Sequence, residues 1–84
     1  MKIPDWEITA AAINAEQVSV QILRDHIGNL YQRLSDSLMA SGNVVTKEID
    51  GIYKEIDAAF NKKSKIEQNI ANLTRQAMVE MGIS

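Results

Sequence analysis

Residues 13–34 read INAEQVSVQILRDHIGNLYQRL. Ile13, Val20, Ile27 and Leu34 recur every seven residues, and Leu23 and Leu30 follow two of them at a spacing of three. Apolar residues at this period line one face of an α-helix, whereas a strand would alternate every two. Working backwards, Trp6 extends the row. Working forwards, Tyr31 and Leu38 widen it. The rest of the chain repeats the pattern. Ile49, Ile56, Ile70 and Ala77 form one row, and Val45, Ile52, Ala59, Ile66 and Leu73 form another, with Tyr53 and Phe60 beside them.

The punctuation agrees with two helices. Ala40-Ser41-Gly42-Asn43 is the one cluster of turn residues. Asp5 is a candidate N-cap for the first helix, with Glu7 in its first turn. Asn43 or Thr46 can cap the second, ahead of Glu48 and Asp50. Gly82 suits the left-handed position after a helix, where Ile83 could fold back on Met78. The reading is an all-α, antiparallel helical hairpin in one domain, residues 1–84. Its helices run over about 5–40 and 44–81, with a turn at about 41–43. Each helix would be roughly 50 Å long at 1.5 Å per residue. Gly28 and Gly51 interrupt good helix formers at about 1 kcal/mol each relative to alanine. The apolar row passes through Leu23, Ile27 and Leu30, so the helix is expected to continue past Gly28. The hairpin core is expected at Ile13, Val20, Leu23, Ile27, Leu30, Leu34, Ile49, Ile52, Ile56, Ile66, Ile70 and Leu73.

A second apolar stripe occupies the first half of helix one. Ile8, Ala11, Ala15, Val18 and Ile22 are spaced 3, 4, 3, 4. They lie about 160° around the helix from Ile13 and Val20, at about 100° per residue. One face can meet helix two; the other needs a different partner. Together with Trp6, a residue type enriched at interface hot spots, these residues form the expected partner interface. The partner would be a second copy of the chain, completing a four-helix bundle as a homodimer or higher assembly, or another helical protein. Charge points the same way. Of 20 charged residues, 13 lie between Arg24 and Lys65, and the only charge from Ile8 to Leu23 is Glu16.

Composition restricts the chemistry. The chain has 84 residues and no cysteine, so no disulfide compensates for the small core expected at this length. Net charge is −2 and the isoelectric point about 5.2. That balance disfavours a nucleic-acid partner held by phosphate neutralisation, although Arg24, Arg33, Lys62, Lys63 and Lys65 keep a small regulator open as an alternative. No apolar run is long enough for a membrane span. A surface-active hairpin is the other alternative, and Lys2 and Arg75 are few cations for that work. Nothing resembles a cleaved signal peptide, so the expected compartment is the cytoplasm, with export lacking such a signal left open.

Catalytic, cofactor and metal sites are not expected. His26 is the sole histidine, and Asp25 beside it points about 100° away around a helix. No phosphate-binding loop, HExxH or EF-hand spacing is present. Glu16 sits in the inward row, as a polar specifier of register or as part of a shallow seam. Lys63 also falls there, where its stem can cover apolar surface while its ammonium reaches water.

In size and layout the chain is similar to small helical hairpins of bacterial secretion systems: needle subunits, their co-chaperones and WXG-type secreted dimers. Its turn has neither the Trp-x-Gly of the last group nor the Pro-rich turn of needle subunits, so no residue roles carry across. The unpartnered helix face itself leads to the expected function, a small structural subunit, adaptor or chaperone acting through helix packing, of a bacterial secretion or phage-type assembly.

Overall fold

A computed structural model describes residues 2–82. They form two α-helices, α1 (Asp5–Ala40) and α2 (Lys47–Glu80), packed side by side as an antiparallel hairpin. The molecule is a rod of 62 × 22 × 15 Å with a radius of gyration of 18.7 Å. A compact globule of this length would have a radius of about 12 Å. α1 runs unbroken through Gly28, and α2 through Gly51.

The ends differ from the sequence expectation in three places. The residue ahead of α1 is Pro4, with an extended ψ of 143°, so Asp5 is already helical and does not cap. A side-chain cap must come from the residue with non-helical backbone, and proline has no acceptor to offer. The Pro4 carbonyl instead accepts from the Glu7 amide at 3.0 Å, and Asp5 acts only through its charge at the helix N-terminus. α2 starts at Lys47 rather than 44, because Thr46 takes the capping position and its hydroxyl accepts from the Ile49 amide at 3.3 Å. Val45 therefore lies before the helix, 64% exposed, outside the inward row. α2 closes at Glu80 rather than 81, and Gly82 follows with φ 79°. The suggested contact of Ile83 lies outside the described residues.

The turn explains why Asn43 does not cap. Gly42 and Asn43 both adopt left-handed backbone, φ 66° and 67°. The Gly42 amide donates to the Met39 carbonyl at 3.4 Å and the Asn43 amide to the Leu38 carbonyl at 2.8 Å. These are the two reversed bonds of a Schellman closure, which satisfy carbonyls left over at the end of α1. Glycine and asparagine are the residues that tolerate this backbone.

The core is concentrated near the turn. Ile27, Leu30 and Leu34 of α1 pack with Ile49, Ile52, Ile56 and Ala59 of α2, and Leu38 packs against them. Val20 is buried further along α1. Towards the open end, Ile13, Leu23, Ile66, Ile70 and Leu73 are half-buried. On the flank of the core, the rings of Tyr31 and Phe60 meet edge to face, with centroids 6.4 Å apart.

Candidate partner-binding surface

The open half of α1 is apolar on the side that α2 does not cover. Ile8, Val18 and Ile22 are 57%, 54% and 63% exposed, and Ala11 and Ala15 are exposed between them. These side chains form a straight seam because the 3, 4 spacing keeps them on one helix face. Trp6 is also exposed, but two residues from Ile8 is about 200° around the helix, so it stands apart from this seam. Ile22 continues sideways into a groove lined by Ser19, Leu23, Lys62 and Ile66. The seam thus borders the half-buried inward rows of both helices.

The seam has a sharp end. Continued at the same spacing, it runs through Asp25, Asn29, Gln32 and Asp36, all exposed. The amide of Gln21 donates to Asp25 at 3.0 Å, and that of Gln32 to Asp36 at 3.1 Å. One face of α1 is therefore apolar up to Ile22 and hydrophilic from Asp25 to Asp36.

Polar contacts fix the pairing of the helices. The buried Thr9 hydroxyl donates to the Glu80 carboxylate at 2.7 Å, closing the open end. Glu16 is half-buried and accepts from the Asn69 amide at 3.1 Å across the hairpin. Nearer the turn, Arg33 and Glu55 approach at 3.4 Å, both well exposed. Thr9 was not singled out by sequence reasoning. Its signal was available, since it stands seven residues before Glu16 on the same helical face.

The remaining candidate groups are dispersed. His26 is exposed, and Asp25 is engaged by Gln21. No group of three metal-binding side chains occurs among the described residues. Within the basic cluster, the Lys63 ammonium donates to Glu67 at 2.8 Å, and the Lys63 side chain is only 18% exposed. That hydrogen bond, with the attraction of Lys63 and Arg24, holds the Glu67 carboxyl below its ordinary pKa. Asp50 and Lys54 pair at 3.1 Å on the surface of α2. No described helix is long and apolar enough to cross a membrane. No protein family matches the chain, and neither a curated protein nor a solved structure is detectably similar to it.

Proposed function

We propose that this protein is a non-enzymatic assembly module that works by helix packing. Its α1 seam, Ile8, Ala11, Ala15, Val18 and Ile22, receives a helix from a second subunit, in the manner of a small structural subunit, adaptor or chaperone. The observation that carries this reading is exposed area. The chain exposes 6274 Å², against about 5,000 Å² for a compact monomer of its mass. Docking at a standard interface removes about 800 Å² per partner. The excess, roughly 1,300 Å², is more than one such patch would cover, and the seam is where the apolar part of it is continuous.

Multi-angle light scattering on the wild type, Ala15→Glu and Val18→Glu tests this. The expected wild-type mass exceeds that of one 9.3 kDa chain, and each glutamate returns it to one chain with its circular-dichroism helix signal retained. Both sites are exposed in the hairpin, so the charge harms only a docked state. A stable monomeric wild type, indifferent to both changes, overturns the reading.

A further inference from the structure

We infer that the occupant of the seam is the same seam of a second copy, running antiparallel, so that two hairpins overlap only at their open halves. This rests on the packing reading above and adds the partner and its direction. Three observations lead to it.

The first is length. The apolar part of the face spans Ile8 to Ile22, about 21 Å at 1.5 Å per residue, and then turns hydrophilic at Asp25. An occupant of the whole 62 Å rod would cover Asp25, Asn29, Gln32 and Asp36 as well. The occupant is therefore short, or is offset so that its own polar half lies elsewhere. A second copy laid antiparallel has that offset built in.

The second is charge. In a parallel pair in register, Asp25 would stand beside Asp25 of the second copy, and Asp36 beside Asp36. Like charges facing across a helix seam are unfavourable, and each here would lose water as well. The antiparallel pair avoids both meetings. Asp25 then stands in the last layer of the overlap, across from Ile8 of the second copy, and residues from Asn29 onward reach past the start of the other α1 into solvent. Glu16, the one charge within the stretch, is turned inward and bonded to Asn69.

The third is shape. Along α1 the stripe reads Ile, Ala, Ala, Val, Ile, so its small pair, Ala11 and Ala15, is followed by a large pair, Val18 and Ile22. A two-fold interface needs one patch that matches itself when reversed. In antiparallel layers, Ala11 lies across from Ile22 of the second copy and Ala15 across from its Val18. Small against large fills the inter-helix space evenly. The groove of Ser19, Leu23, Lys62 and Ile66 beside Ile22 lets the second copy reach the half-buried rows.

The arrangement makes a staggered rod. Its two-fold axis falls near residues 16–17 of α1, and its length is about 80 Å at 1.5 Å per residue, against 62 Å for one hairpin or a fully overlapped bundle. Small-angle scattering across a concentration series, with light-scattering mass on the same samples, tests the length. The chain has no cysteine, so single thiols report direction. Mixed Ala15→Cys and Val18→Cys chains should cross-link on oxidation, and Ile8→Cys alone should not. A two-chain mass, a maximum dimension near 80 Å and that cross-linking pattern support the inference. Asn29→Glu, outside the contact, should leave the mass unchanged, and a loss of dimer there counts against it. Dimers no longer than one hairpin, self-cross-linking of Ile8→Cys, or a mass above two chains overturn the antiparallel pair and leave the packing reading standing. A monomer insensitive to Val18→Glu overturns both.

Discussion

The two halves of this rod are made of the same two helices, yet they hold together differently. Near the turn, α1 and α2 each carry one apolar stripe, the stripes face each other, and Leu30, Ile49 and Ile52 are almost fully enclosed. Charged residues populate the rest of that surface. Towards the open end, the inward residues are half-buried, hydrogen bonds join Thr9 to Glu80 and Asn69 to Glu16 across the helices, and α1 carries a second stripe. The contrast teaches that apolar content alone does not predict burial. How it is distributed around the helix decides whether one neighbour can cover it.

The comparison breaks most easily at the core. Ile52→Ala should cost about 2–5 kcal/mol, the range for emptying an enclosed aliphatic site. Leu73→Ala, at a half-buried site in the open half, should cost clearly less in the monomer, measured by urea denaturation. Equal losses would mean that the two halves are packed alike.

A smaller effect separates the turn from the helix bodies. Gly42→Ala forces a side chain into left-handed backbone and should lose about 1–2 kcal/mol. Gly28→Ala should gain up to about 1 kcal/mol, since an added Cβ at Gly28 meets open space within a regular helix. Thermal unfolding of both variants reads the opposite signs directly. A destabilised Gly28→Ala would show that this stretch of α1 needs glycine for some other reason.

The smallest effect concerns pH. Folding lowers the Glu67 carboxyl through the Lys63 hydrogen bond. Its contribution is therefore present above the unfolded-state pKa and is lost as pH falls through the lower folded value. The pair is solvent-exposed on the Glu67 side, so salt should weaken it. Glu67→Gln should flatten that segment of the stability profile, recorded as melting temperature against pH. An unchanged profile would assign the acid dependence to other carboxylates.

Much of the fold was legible because the heptad rows and the single turn cluster reinforce each other. Asp5, Val45 and Thr46 show where legibility stopped. A candidate cap is recognisable by residue type, but which candidate caps depends on where the backbone leaves helical dihedrals. At the first helix, Pro4 took that position. At the second, left-handed Gly42 and Asn43 and the extended stretch after them passed it to Thr46. The seam was readable as a stripe from Ile8 to Ile22. The burial gradient was not, because the rows at Ile13 and Ile70 look as apolar in sequence as those at Ile27 and Ile56. The Thr9 clip escaped for a related reason: hydroxyl spacing does not reveal which carboxylate on the other helix comes within reach.

The clip at Thr9 and Glu80 also has a consequence for how the hairpin closes. It joins residues 71 apart in sequence, whereas Arg33 and Glu55 are 22 apart. Loop-closure entropy makes the longer connection about 1 kcal/mol dearer if formed first. Contacts beside the turn shorten the remaining loop at each step, so the favoured route zips from Gly42 outward. The α1 seam then lies along the stretch whose helix pairing is completed last, and under the proposed function a partner's arrival there would lock the final teeth.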